Sequence, residues 1–252
     1  MKATAFIYKG RTYYLNADRS AEFHIRNSTK KIAKMAELVG RDCRVVFDVG
    51  ANCGLFTAFA SSKNPECVFY AFEASPDLIP FINRNCDSDN VHIHQNAISE
   101  FTGKVNFYVN PNSQQTNSLN EEAVRLFIDC NAPADLITLE VSSISINDFC
   151  EKNNIKQVDA LKIDVQGAEG QVLKGASTII DTVRYLFIES TWMEISSIID
   201  LVPWALNHGF LYLNVLNPVH LGADILLTRK EILSDLVIKS YHLDKNFQDR
   251  WS

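Results

Sequence analysis

Apolar residues recur along this chain in two alternating rhythms. Val45, Val46 and Phe47 form a short β-branched and aromatic run ending in Asp48. Leu55, Phe56, Phe59 and Ala60 then fall at i, i+1, i+4 and i+5, which predicts a strand, a tight turn and a helix covering a sheet with one face. Val68 to Phe72 is nearly unbroken apolar sequence, as a strand buried on both faces requires, and ends in Glu73. A helix from Pro76 to Asn85 follows, with Leu78, Ile79 and Ile82 inward. Val91 to Gln95 reads as a third strand. Leu161, Ile163 and Val165 alternate with Lys162 and Asp164 in a fourth, and beyond Gly167 the residues Ala168, Val172, Leu173, Ala176, Ile179 and Ile180 make a helical stripe. Val183 to Glu189 is a fifth strand, again ending in an acid. Glu194 to Asn207 reads as a helix broken near its middle by Pro203 and stopped by Gly209. Phe210 to Val215 and Asp224 to Thr228, a hairpin-like pair, bring the count to seven strands.

The flanking segments are less regular. Residues 3 to 15 alternate weakly around Lys9-Gly10, a hairpin pattern, and Ser28 to Leu38 carries Ile32, Met35 and Ala36 at helical spacing. Gly103 to Val109 predicts an extra antiparallel strand, and Ile137 to Val141 with Ser145 to Asn153 another strand and a short helix. Asn110 to Asn120 is polar and turn-rich, the composition of a substrate lid or of a disordered loop, and the lid is the preferred reading. The tail from Lys230 puts Leu233, Leu236, Val237 and Tyr241 on one helical face, able to pack on the sheet or on a second subunit. The expected organisation is an extension over 1–39, a central domain over 40–230 and a helical tail over 231–252.

Composition narrows the class. With 252 residues and 46% hydrophobic content, the chain suits one large α/β domain. A formal net charge of −6 argues against a broad nucleic-acid-binding face. The six cysteines form no C-x-x-C pair and no zinc spacing with histidine, so reduced thiols in a cytoplasmic protein are expected. The first residues do not sustain the apolar core of a signal peptide, and no later run reaches membrane-spanning length.

The chemistry concentrates in the turn after the first central strand. A dinucleotide fingerprint needs a middle glycine that Gly50-Ala51-Asn52-Cys53-Gly54 lacks, and a P-loop needs a Lys-Ser/Thr pair that is also missing. Asp48, two residues before Gly50, would repel a pyrophosphate and attract a cation. S-adenosylmethionine, a sulfonium carrying an ammonium and no phosphate, fits that description. Glu73 stands about 20 residues past the turn, where nucleotide folds use a carboxylate to accept two ribose hydroxyls. Asn96 lies beyond the third strand, where its amide can line an adenine slot. Among the histidines, His24, His92, His94, His208 and His220 show no triad or metal spacing, and only His220 is placed to face an acceptor; a solvated loop residue is the competing reading.

VVFDVGANCG, AFEASP, the NAIS segment, LKIDVQGAEGQVLKGA and LFIES together resemble the FkbM-type methyltransferase family, over roughly residues 40 to 230. The resemblance implies a class I methyltransferase, Rossmann-like fold: a seven-stranded, mostly parallel sheet with helices on both faces. It implies that Asp48, Gly50, Ala51, Asn52 and Gly54 hold the methionine end of S-adenosylmethionine, Glu73 the ribose, and Asn96 with Ala97 the adenine edge. It also implies O-methylation of a hydroxyl on a sugar, glycan or related small molecule. Ala74 replaces a proline frequent in the family, and Gln166 a glutamate, which weakens the case for a divalent metal; no metal site is expected. Asp164 is then the candidate carboxylate nearest the methyl group, competing with a role limited to the cofactor's amino group. Glu189 supports or substitutes for it and Glu169 orients it. Lys162 reads as a strand-edge charge. A nicotinamide-dependent oxidoreductase and a methyltransferase-like module without catalysis are the competing functions.

Overall fold

The computed structural model describes residues 3–17, 28–40, 42–131, 134–191, 195–219, 222–231 and 239–243. Strands Val45–Val49 (β3), Val68–Phe72 (β4), Val91–His94 (β5), Ala160–Ile163 (β9), Tyr185–Thr191 (β10), Tyr212–Val219 (β11), Gly222–Thr228 (β12) and Lys239–His242 (β13) form one sheet in the order β13-β11-β12-β10-β9-β3-β4-β5. The pairs β5·β4, β4·β3, β3·β9 and β9·β10 are parallel, while β12 runs antiparallel to β10 and β11. Chain order therefore reverses between β3 and β9, and the seven expected strands stand in the arrangement of the class I methyltransferase sheet.

Strand alternation divides the core. Val46, Phe69, Ala71, Ala160, Phe187 and Leu226 face one apolar layer, and Phe47, Val49, Phe72, Leu161, Ile163, Leu186 and Ile188 face the other. Helices Thr29–Glu37 (α1), Leu55–Lys63 (α2) and Ile79–Asn85 (α3) cover the first face, and Ile146–Lys152 (α5), Glu169–Gly175 (α6) and Ile195–Asn207 (α7) the second. A hairpin, Ala3–Tyr8 (β1) with Arg11–Asn16 (β2), turns at Lys9 and Gly10 as expected. It lies outside α2, with the Tyr13 ring 4.9 Å from that of Phe59, and Asn85 ties it down by accepting from the Tyr14 N–H at 2.8 Å. For that reason α2 is buried from Leu55 through Ser61, rather than on one face as expected.

Several expectations need correction. The sheet has an eighth strand. Lys239–His242 pairs along β11 where a helix was expected, satisfying the row of backbone groups an edge strand would otherwise expose, while Leu233, Leu236 and Val237 lie outside the described residues. The strand at Ile137 extends to Ile144 (β8) and belongs with Ala97–Ile98 (β6) and Gly103–Val109 (β7) to a separate three-stranded sheet. Pro203 sits inside α7 without ending it, and Gly209, at φ 76°, terminates the segment; Glu194 lies outside the described residues. A further helix, Glu121–Asn131 (α4), has no counterpart in the expectations. Its start is nevertheless written in the sequence: Asn120 Oδ1 accepts from the Ala123 N–H at 3.2 Å, and Glu121 and Glu122 occupy the first turn. Cys43, Cys53, Cys67, Cys86 and Cys150 are buried thiols. No helix among the described residues is long and apolar enough to cross a membrane.

Candidate functional site

A cleft of about 960 Å³ opens at the carboxyl ends of β3, β4, β9 and β10, where chain order reverses. Gly50 explains how the strand ends come so close. At φ 76°, an added Cβ would stand 1.9 Å from the Asp164 carbonyl oxygen, so no side chain fits between the turn after β3 and the end of β9. The Gly50 and Ala51 N–H groups donate to the Phe72 carbonyl at 3.0 and 2.9 Å, clamping the turn onto β4. Gly54, also at φ 76°, leads into α2, and a Cβ there would press on Cys86 and Ile82 at 3.0 Å.

Glu73 organises the next layer. One of its oxygens accepts from the Asn52 N–H and the other from the Ser75 N–H, each at 2.8 Å, and the side chain is buried at the cleft wall. Burial pushes its pKa up to about 7 against those two N–H groups, which hold it down. Asn52 takes the left-handed conformation, φ 54°, that aims its N–H at Glu73, and its own Oδ1 accepts from the Cys53 N–H at 2.7 Å. Asn96 and Ala97 line the same wall.

Beneath the turn lies a buried ionic group. Asp48 accepts from the Thr57 hydroxyl at 2.7 Å and pairs with Lys162 at 3.1 Å. Lys162 also donates to the Gly50 carbonyl at 2.7 Å and lies 3.6 Å from Asp164. It is thus no strand-edge charge: its side chain is 8% exposed. Burial works against its charge, but Asp48 and Asp164 outweigh burial and keep the ammonium protonated.

Asp164 and Glu189 meet at the tips of β9 and β10. Gln166, in a left-handed backbone conformation, donates its amide to Asp164 at 2.7 Å and to Glu189 at 2.5 Å. The two carboxyls, joined through the Gln166 amide, influence one another's protonation. Burial raises both, yet Lys162 and Lys31 pull Asp164 below the usual carboxylate range, while burial and the Asp164 charge push Glu189 above it. A proton shared by the pair therefore resides on Glu189. From α1, Lys31 bridges Glu189 at 3.2 Å and the buried Asp224 at 2.9 Å, an arrangement sequence reasoning did not anticipate because Lys31 and Asp224 carry no motif.

Glu169 has a different place. Its oxygens accept from the Val165 N–H at 3.1 Å and the Gly167 N–H at 3.0 Å, bracing the loop that carries Asp164 and Gln166. The polar segment after β7 forms an ordered wall of the cleft. Asn117 Oδ1 accepts from the Asn110 N–H at 2.9 Å, Ser118 donates to the Val165 carbonyl at 2.8 Å and Asn120 to the Gly167 carbonyl at 3.0 Å. Phe107, Phe127, Ile32 and Met35 add apolar surface. His24 and His220 lie outside the described residues, and His208 pairs with Asp181 at 2.9 Å, away from the cleft.

Residues 48–212 match the model of the methyltransferase FkbM domain. Methyltransferase 1 of Beauveria bassiana is 29% identical over 166 residues, 61% of this chain and 65% of that protein, so the match spans just under two thirds of the relative's length. The 2-O-methyltransferase NoeI of Sinorhizobium fredii is 22% identical over 198 residues, covering 70% of this chain and 78% of NoeI. The hexuronic acid methyltransferase AglP of Haloferax volcanii is 24% identical over 148 residues, covering 58% and 55%.

Proposed function

Because the chain belongs to the methyltransferase FkbM family, we propose that it is an S-adenosylmethionine-dependent O-methyltransferase acting on a hydroxyl of a sugar, glycan or related small molecule. The observation that carries this reading is the charge around the cleft. Glu73, Asp164, Glu189 and Asp224 line it, with Asp48 buried beneath, against the ammonium groups of Lys31 and Lys162. A phosphate-free cation is the ligand such a site favours, and a pyrophosphate is the one it repels.

The residues present fit S-adenosylmethionine. The Gly50 to Gly54 turn and Asp164 would hold the methionine end, Glu73 the ribose hydroxyls, and Asn96 with Ala97 the adenine edge. Glu73 keeps lone pairs free for a diol even while it accepts two backbone N–H groups. When bound, the cofactor supplies an electrophilic methyl group on sulfur. The chain's contribution is to position an acceptor oxygen in line with that methyl and to receive its proton. Asp164, held ionised by Lys162, is suited to bind a cation; Glu189, whose proton affinity is raised, is the better base. The relatives named as a 2-O-methyltransferase and a hexuronic acid methyltransferase support a hydroxyl acceptor of the sugar class. The test is methyl transfer from S-adenosylmethionine to a panel of glycosides and small alcohols, read by mass spectrometry as a gain of one methyl per acceptor. A protein that binds S-adenosylhomocysteine but methylates no member of a broad hydroxyl panel would count against O-methylation.

A further inference from the structure

We propose that Lys31 is a positioning residue of this reaction: reaching from α1 between Glu189 and Asp224, its ammonium group holds Glu189 at the cleft and offsets the neighbouring negative charges, so that Glu189 can ionise and then accept the proton of the acceptor hydroxyl. The proposal rests on the reading that a hydroxyl is methylated here.

The geometry is that of a clamp with two jaws. Lys31 Nζ lies 3.2 Å from Glu189 Oε1, and the Gln166 amide donates to Oε2 at 2.5 Å, so each oxygen is fixed by a donor from a different element. Asp224, from the antiparallel strand β12, secures Lys31 from the far side at 2.9 Å and is almost fully buried. The groups facing Glu189 are Lys31 on α1, Asp164 and Gln166 after β9, Lys162 on β9 and Asp224 on β12. Asp164 and Asp224 favour a proton on Glu189. Lys31 is the adjacent cation that opposes them, with Lys162 acting from beyond Asp164. In the step itself, the acceptor oxygen bonds to the methyl carbon and the methyl–sulfur bond breaks with both electrons passing to sulfur. The O–H proton passes to Glu189, and Lys31 neither gains nor loses one.

If Lys31 served only to pin α1 to the sheet, removing its charge would leave the acid limb of kcat against pH where it is in the native protein. The experiment follows the Glu189 carboxyl stretch by infrared spectroscopy against pH in the ligand-free protein, assigned by difference from E189Q. For K31M the midpoint is expected to rise by on the order of one pH unit, since an opposite charge at this distance shifts a carboxyl by at least that much. K31R is expected to stay near the native midpoint, and D224N to move it downward. The acid limb of kcat against pH moves with the same sign in each variant. A K31M midpoint coincident with the native one, or K31R displaced as far as K31M, overturns the proposal. Should K31M fail to fold, K31Q decides, and an unmoved midpoint and acid limb there overturn it. Absence of S-adenosylhomocysteine binding by the native protein would instead strike the methyltransferase reading and leave the titration result standing.

Discussion

Gly50 and Asp164 touch backbone to backbone: a Cβ on Gly50 would lie 1.9 Å from the Asp164 carbonyl oxygen. The turn that would cradle the cofactor and the strand end that presents Asp164 are therefore one packed unit, and changes in either are felt in both. Gly50→Ala must displace the Asp164 backbone while also straining a residue at φ 76°. It is expected to destabilise the fold by about 2 kcal/mol or more and to abolish measurable S-adenosylhomocysteine binding, as checked by chemical denaturation and calorimetry.

Lys162 is the sole compensating contact at under 4 Å that a basic side chain makes with Asp48 among the described residues. Lys162→Met leaves that carboxylate buried without its cation, a loss of about 3–5 kcal/mol. Because the pair is buried, the loss should hardly change between low and high salt. Denaturation midpoints at both ionic strengths check this.

Glu73 gives a pH dependence with a definite sign. Its folded pKa is raised to about 7 from the ordinary 4.5, so the folded state favours the protonated form. Stability from this group is complete below the unfolded pKa and is lost as pH climbs from about 4.5 to 7, levelling off above, by roughly 3 kcal/mol at most. Glu73→Gln should remove that slope from the stability-versus-pH curve. Ribose hydroxyls donating to Glu73 favour its ionised form, so binding of S-adenosylhomocysteine near pH 6.5 should release protons. Calorimetry in buffers of different ionisation enthalpy measures the release, which E73Q should lack.

The strand-tip carboxylates should separate kinetically. Asp164→Asn is expected to weaken S-adenosylhomocysteine at least about tenfold, as loss of an ion pair to the ligand's ammonium group implies. Glu189→Gln should leave that affinity within about threefold while lowering kcat by roughly 10²–10⁴, the usual contribution of a positioned base. Binding and turnover measured on both variants check the division.

The central sheet was legible because its strands carry apolar runs or strict apolar alternation, and Asp48, Glu73, Asp164 and Glu189 each mark a strand tip or lie close to one. What the sequence could not convey depends on contacts between distant segments. Lys31 and Asp224 are 193 positions apart and meet only because the fold brings α1 beside β12. Lys162 reads as a polar member of an alternating strand, and its burial follows from the partners Asp48 and Gly50 across the neighbouring strand. Lys239–His242 departs from the expected helix for a related reason: the open edge of β11 selects a strand there whatever helical spacing the local residues suggest. Glu169, expected to orient Asp164, accepts from the Val165 and Gly167 N–H groups of the loop that follows Asp164.

The most direct test of the central claim is calorimetric titration of the native protein with S-adenosylhomocysteine and, separately, with NAD. Saturable binding of S-adenosylhomocysteine at one site per chain, weakened in D164N and E73Q, with no heat from NAD, is the predicted result. Saturable binding of NAD, or S-adenosylhomocysteine affinity indifferent to both substitutions, would contradict it.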